Sequence, residues 1–336
     1  MIITLKPNAN IACVDAMIDE LESLGLTCQT TMGKHYTVVH VIGDTSTYDA
    51  KGLYAYDCVK NVVRIQEPFK RSQKADEQSK TIIRVKHVTI GGDDPVYIAG
   101  PCSIESYEHI EETAKIVSES GAHILRGGAY KPRTSPYDFQ GLGREALQYL
   151  YDAAQKYDLV TISEIVDHND LALFEEYVDI LQVGARNMQN FTLLKALGKT
   201  SKPILLKRGF GNTLEEWLMS AEYILSHGNP NVILCERGIR TFETTTRHTL
   251  DIASVLKIKQ ISHLPVIVDP SHAAGRWELV EGLAKASIAV GADGVMIEIH
   301  PEPQRAFSDG AQALKPTRYT TLIQQLKRLS KAIKEK

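Results

Sequence analysis

The sequence predicts an α/β protein in which a small ferredoxin-like βαββαβ domain precedes a (β/α)8 TIM barrel. Three observations carry that prediction. Short apolar, β-rich runs alternate with amphipathic helical windows eight times from residue 96 onward. The opening stretch instead reads strand, helix, strand, strand, helix, strand, the split-motif order. Between the two lies EPFKRSQKADEQSK, residues 67–80, which is polar, holds a single proline and lacks any apolar period. The expected domains are therefore 1–66, a linker over 67–80, and a barrel over 81–336.

In the small domain the strands fall at 2–5, 26–31, 36–42 and 59–65, with helices near 9–24 and 47–55. Two short apolar runs, 81–85 and 88–90, precede the barrel. Its strands are expected at 96–99, 122–125, 159–163, 180–183, 203–206, 232–235, 265–268 and 294–297. Helical windows such as 107–120, 144–157, 213–227 and 276–290 lie between them. An open doubly wound sheet is the competing architecture, because alternation alone does not prove closure.

Composition narrows the function. With Lys+Arg 38 against Asp+Glu 41 the formal net charge is −3, which offers no global attraction to nucleic acid or anionic lipid. No window has the length of apolar sequence a spanning helix needs, and the start MIITLKPNAN lacks the order of a secretory signal, so a cytoplasmic protein is expected. The cysteines, Cys13, Cys28, Cys58, Cys102 and Cys235, are odd in number and form no CxxC pair. They are expected to be reduced, and most to be packing residues.

A barrel gathers its active site at the C-terminal ends of its strands, so the first polar residues after each strand matter most. In order they are Cys102; Arg126 with Lys131 and Arg133; Glu164; Arg186; Lys207; Glu236 with Arg237; Asp269 with His272; and Glu298 with His300. Six cations brought to one low-dielectric mouth repel one another unless an anion neutralises them. Guanidinium forks and ammonium groups suit phosphate and carboxylate oxygens, which implies small substrates carrying several negative charges. Neither a Walker A string nor a GxGxxG after a strand is present, so nucleotide phosphates fit poorly. A second set, Cys102, His272, Glu298 and Asp309, offers a thiolate, an imidazole and two carboxylates to one divalent metal ion; such mixed donors do not choose among Mn, Fe, Co and Zn. Glu298 stands out because it interrupts the apolar run GVMIEIH, where an ionised carboxylate is costly unless paired or metal-bound.

These residues sit in longer motifs: IAGPCSIES (98–106), LRGGAYKPRTSPYDFQGLG (125–143), QVGARNMQN (182–190), PILLKRG (203–209), ILCERGIRTFE (233–243), PVIVDPSHAAGR (265–276), VMIEIHPEP (295–303) and FSDG (307–310). Together they resemble the 3-deoxy-D-arabino-heptulosonate 7-phosphate (DAHP) synthases, the first enzymes of the shikimate pathway, over nearly the whole chain. The resemblance implies metal-dependent condensation of phosphoenolpyruvate with erythrose 4-phosphate, releasing phosphate. By the same resemblance Cys102, His272, Glu298 and Asp309 hold the metal, and Arg126, Lys131, Arg186 and its neighbour Ala185, Lys207 and Arg237 surround phosphoenolpyruvate. The KPRTS run (Lys131, Pro132, Arg133, Thr134, Ser135) takes the aldose phosphate, chiefly through Arg133. Lys131 is the expected proton donor, Glu164 the expected base, and Asp269 and His272 complete the catalytic set.

Two alternatives remain at this stage. The sister 3-deoxy-octulosonate 8-phosphate synthases act on arabinose 5-phosphate, but their aldose loop reads more like KANRS than KPRTS. A non-catalytic amino-acid sensor should have lost a ligand or an arginine, and none of the expected positions departs from the pattern. For the small domain the resemblance implies an aromatic amino acid effector, tyrosine or phenylalanine, with Gln29, Thr31 and His35 as placeholder contacts, and a homo-oligomer, by family expectation a tetramer.

Overall fold

A computed structural model of the chain describes residues 1–33, 36–45, 48–64, 68–76, 78–133 and 135–335. His35 and Thr134 lie outside the described residues, as does Ile65 at the end of an expected strand. The chain divides into two compact units, Met1–Lys70 and Arg71–Lys336.

The first unit holds β1 (Ile2–Leu5), α1 (Ile11–Ser23), β2 (Thr27–Met32), β3 (Thr37–Ile42) and β4 (Val59–Val63). Its sheet is antiparallel along β1–β3, β1–β4 and β2–β3, in the order β2-β3-β1-β4, so β2 is an edge. Asn10 starts α1 by accepting the Ala12 N–H at 3.0 Å. Met17 and Leu21, one helical turn apart, bury that helix against Ile3, Leu5, Val39 and Val41 of the sheet. Among the described residues the second expected helix is a 3₁₀ turn, Gly52–Ala55, its expected start at Thr47 lying outside them. Asp49 turns its carboxylate onto the Lys51 N–H (3.0 Å), and Gly52 adds backbone freedom, so local turn chemistry displaces the helix. Cys13 and Cys58 form a disulfide, Cα atoms 6.1 Å apart, which corrects the expectation of separate reduced thiols. The pairing arises because α1 lies beside the entry to β4, a proximity that spacing alone does not report.

The second unit opens with residues tied down along the polar stretch: Ser72 donates its N–H and its hydroxyl to Glu222 Oε1 (2.6 and 2.7 Å), and Lys74 N–H donates to the Ile261 carbonyl (2.9 Å). A hairpin follows, β5 (Ile83–Val85) and β6 (Val88–Ile90). The eight barrel strands are β7 (Val96–Gly100), β8 (Ile124–Arg126), β9 (Val160–Glu164), β10 (Ile180–Val183), β11 (Ile204–Lys207), β12 (Val232–Glu236), β13 (Val266–Val268) and β14 (Gly294–Glu298). All neighbours are parallel and β14 pairs with β7, so the barrel closes and the open sheet is excluded. Outside them run α2 (Tyr107–Glu119), α3 (Arg144–Lys156), α4 (Leu171–Tyr177), α5 (Phe191–Leu197), α6 (Leu214–Ser226), α7 (Ile252–Ile261), α8 (Pro270–Ala274), α9 (Trp277–Ala289) and α10 (Pro316–Lys334).

Both faces of such strands are buried, which is why the sequence shows continuous Val, Ile and Leu runs rather than alternation. Ile98, Ile124, Ile162, Ile180, Leu205 and Ile233 fill one interior cluster. Ile83, Val85, Val88 and Ile90 of the hairpin join it with Val96 and Val160, the first residues of their strands, so the hairpin closes the end opposite the mouth. Five strands end on a charged residue, Arg126, Glu164, Lys207, Glu236 and Glu298, still within the strand. The backbone ladder continues while the side chains turn chemical, and this positions the site. Among the described residues no helix is long and apolar enough to cross a membrane.

Candidate active site

The mouth of the barrel encloses a cavity of about 200 Å³. Its cations are Lys131, Arg133, Arg186, Lys207, Arg237 and Arg247; Glu164, His272 and Asp309 line it as well, with Pro132 and Ala185. Most of the expected binding residues therefore meet on one surface. Arg126 is not among the lining residues: it is buried, and its guanidinium donates to Glu298 Oε1. Nor does Ser135, whose hydroxyl accepts the Tyr137 N–H (3.3 Å) within its own loop. Glu236 faces away, accepting from Arg208 Nη1 (3.0 Å) and the Gly238 N–H (2.7 Å). The strand-end list thus overcounts, since a polar residue closing a strand can equally brace a neighbouring loop.

Two glycines make room here. At Gly184 a Cβ would stand 2.0 Å from Glu164 Oε1, so the residue before Ala185 must be bare for that carboxylate to face the cavity. Gly100 has φ +153°, and a Cβ would fall 1.8 Å from the Arg126 carbonyl oxygen. Glu164 is held by Gln182, whose amide donates to Oε2 at 2.9 Å.

Cys102, His272, Glu298 and Asp309 each bring a donor atom within 4.8 Å of the others. The DPSH sequence explains the histidine: Asp269 caps α8 by accepting the His272 N–H (3.0 Å), with proline at the first helical position. Asp269 is fully buried; its Oδ2 accepts from Lys207 Nζ (2.6 Å) and lies 2.7 Å from His272 Nδ1. His272 Nε2 lies 3.2 Å from Glu298 Oε1. Cys102 Sγ donates to Asp309 Oδ2 (3.0 Å), and Lys131 Nζ donates to the same oxygen (3.0 Å) and to Cys102 Sγ. Gln312 Nε2 donates to the second oxygen of Glu298.

Burial would raise the Glu298 carboxyl, but His272 and Arg126 outweigh it and hold it at about 2. Asp309 is likewise held far below the carboxylate range, burial being overcome by Lys131 and His272. Burial first, then Glu298, pushes the Cys102 thiol up to about 12. Burial also lowers His272 to about 4, against the opposing pull of Asp269 and Glu298. The quartet is thus two carboxylates, a neutral imidazole and a thiol, convergent, with Asp309 half-buried and the other three buried. Its donors fit a divalent transition ion, with Asp269 on the other imidazole nitrogen as the orienting partner such histidines have.

Residues 72–335 match the DAHP synthetase I family, and residues 1–67 match the DAHP synthase ferredoxin-like domain. The chain belongs to the DAHP synthetase I family. Phospho-2-dehydro-3-deoxyheptonate aldolase of Thermotoga maritima is 49% identical over 333 residues, covering 99% of this chain and 98% of that protein. The crystal structure of a DAHP synthase from that organism has a TM-score of 0.94 at 48% identity, over 99% of this chain and 97% of that one. A 2-dehydro-3-deoxyphosphooctonate aldolase from Syntrophotalea carbinolica is 32% identical over 253 residues, 69% of this chain and 90% of that protein. As a DAHP synthase the chain is an enzyme, and its two units correspond to the two matched segments.

Three features of this DAHP synthase escape a reading of strand ends. Arg247 lies in the TTTRH segment, far from any strand, yet lines the cavity and donates to Asp309 Oδ1 (3.2 Å) and Gln312 Oε1 (2.9 Å). Gln312 belongs to the turn after FSDG. Phe210, one residue past the KRG motif, has the guanidinium carbons of Arg186, Arg237 and Arg240 at 5.5, 4.9 and 5.1 Å from its ring centroid, and His248 stacked at 5.2 Å. The ring lies among cations that would otherwise face only one another. An aromatic three residues after a basic strand end is the signal that could have found it. In the first unit Gln29 and Thr31 are exposed on the edge strand β2, on one face by their spacing of two.

Proposed function

We propose that this DAHP synthase joins phosphoenolpyruvate to erythrose 4-phosphate in the barrel mouth, using one divalent metal ion, and that its small domain mediates feedback by an aromatic amino acid. The observation that carries the reading is Lys131, which lines the cationic cavity and is also bonded to two members of the donor quartet, Cys102 and Asp309. Anion binding and carbonyl chemistry are thereby brought to one spot.

Arg186, Lys207 and Arg237 face the cavity as the phosphate and carboxylate receptors for phosphoenolpyruvate. Arg126 acts by holding Glu298. Arg133, reaching Asp138 Oδ2 at 2.9 Å, is the receptor for the aldose phosphate, with Pro132 fixing its backbone. Cys102, His272, Glu298 and Asp309 would hold a divalent ion, which would supply Lewis-acid polarisation of an aldehyde. With both reactants fixed by their phosphates, C3 of phosphoenolpyruvate bonds to the aldehyde carbon. Lys131 gives its proton to the oxygen that becomes the new hydroxyl. Water adds at C2, with Glu164 across the cavity receiving its proton, and the hemiketal phosphate collapses by C–O cleavage to the ketone and inorganic phosphate. Asp269 orients both Lys207 and His272.

The test is phosphate release from phosphoenolpyruvate with erythrose 4-phosphate and arabinose 5-phosphate supplied in parallel, before and after chelation. Release with the four-carbon sugar, lost on chelation and restored by Mn²⁺, is expected. Preference for the five-carbon sugar would move the chain to octulosonate chemistry, and full activity after exhaustive chelation would remove the ion from the reaction.

A further inference from the structure

The segment after β7 and the segment ending at Asp309 meet in antiparallel register through their side chains. Cys102 Sγ reaches Asp309 Oδ2 (3.0 Å), 207 residues away in sequence. Ser103 and Ser308 share a buried hydroxyl–hydroxyl bond of 2.7 Å. Glu105 Oε1 accepts the Phe307 N–H at 2.7 Å. The same carboxylate oxygen faces the end of β14, with His300 Nε2 3.5 Å away, two residues beyond Glu298. Glu105, three residues after Cys102, therefore bonds to the segment that ends at Asp309 and lies beside the residues that follow Glu298, without lining the cavity.

Asp309 makes such bracing necessary. Its φ is 52°, in the left-handed region, where a residue with a Cβ costs about 1 kcal/mol or more and persists only if its surroundings over-determine it. The contacts at Phe307 and Ser308 act on the two residues just before it.

Glu105, His109 and His300 could pass for a second metal site, since their donor atoms also lie within 4.8 Å of one another. The hydrogen bonding points elsewhere. The Glu302 N–H donates to His300 Nδ1 at 3.0 Å, so the lone pair of that nitrogen is taken by the backbone, and Nε2 is the nitrogen that faces Glu105. A ligating histidine has the opposite arrangement, an N–H donated outward from its second nitrogen.

We propose that Glu105 is a positioning residue for the metal centre: it ties the Asp309 segment to the Cys102 segment beside the end of β14 and so sets the spacing of the donors. The inference rests on the reading that Cys102, His272, Glu298 and Asp309 hold a divalent ion. It is tested on the full chain by titrating Mn²⁺, following free Mn²⁺ by electron paramagnetic resonance, with Co²⁺ absorption reporting the thiolate bond. Glu105→Ala should weaken Mn²⁺ binding by about 10- to 100-fold, the range for lost outer partners, and reduce the Co²⁺–thiolate band. Glu105→Gln keeps an oxygen for both the Phe307 N–H and His300, and should restore affinity to within about threefold of the parent. Ser308→Ala, a milder change at the next rung, should weaken binding in the same direction, which keeps the test open if Glu105→Ala fails to fold. Unchanged Mn²⁺ affinity in a folded Glu105→Ala chain, in Ser308→Ala when Glu105→Ala does not fold, or a Glu105→Gln chain as impaired as the alanine variant, would overturn the assignment. A parent chain that binds no Mn²⁺ would instead overturn the underlying metal reading, and this inference with it.

Discussion

Binding a divalent ion at the quartet should release one proton, and that proton should come from Cys102. At pH 7 to 8.5 the thiol, pushed up to about 12 by burial and by Glu298, is protonated. His272, lowered to about 4, is already neutral, and Glu298 and Asp309 are ionised, the first at about 2 and the second far below its ordinary value. Only the thiol must change state before it can ligate. Deprotonation is favoured by raising the pH, so the sign is fixed: the apparent dissociation constant falls as pH rises, by about tenfold per unit, or about 1.4 kcal/mol. From pH 7 to pH 8.5 the expected tightening is about thirtyfold. Calorimetric titration of the chelated enzyme with Mn²⁺, in two buffers of different ionisation heat, counts the released protons directly. In Cys102→Ala the binding should be weaker and its pH slope should vanish, because no remaining ligand has a proton to lose in this window. A flat profile in the parent, or an unchanged slope in Cys102→Ala, would refute the reasoning.

Two further outcomes follow from the arrangement of cations and of domains. Phe210→Leu, of similar bulk but without a π face, should raise the KM for phosphoenolpyruvate by about tenfold with little change in kcat, while Phe210→Tyr should restore it; steady-state kinetics in which leucine serves as well as tyrosine would show that the ring only packs. Tyrosine or phenylalanine at millimolar concentration should inhibit the full chain and not a chain lacking residues 1–70, with a coupling of about 1 to 3 kcal/mol; equal activity in every condition would remove the regulatory proposal.

The barrel was legible because buried parallel strands leave continuous apolar runs, and their chemistry collects at one end of each run. Strand ends slipped by a residue at Arg126, Glu164, Lys207, Glu236 and Glu298, since the backbone ladder does not stop where polarity begins. The second small-domain helix was lost to an Asp49 turn. Three of the donor quartet were visible as unusual residues at strand ends, above all the glutamate inside GVMIEIH, and Asp309 in the loop after the last strand. What the sequence could not report were contacts between distant loops: Arg247 on Asp309, Glu105 on Phe307, Cys13 on Cys58. Each depends on where two turns meet once the sheet has closed or the helix has docked. Arg126 is the instructive intermediate case, placed at the correct strand end with its guanidinium on Glu298, since a buried carboxylate needs a partner.

The central claim is that a metal-binding quartet and a cationic receptor share one rim. Crystals grown with Mn²⁺ and phosphoenolpyruvate, with diffraction recorded at the manganese absorption edge, address it most directly. The account predicts one anomalous peak in bonding contact with Cys102, His272, Glu298 and Asp309, and the ligand phosphate against Arg186 and Arg237. A manganese peak elsewhere, with Cys102 and His272 left as mere packing neighbours, would contradict it.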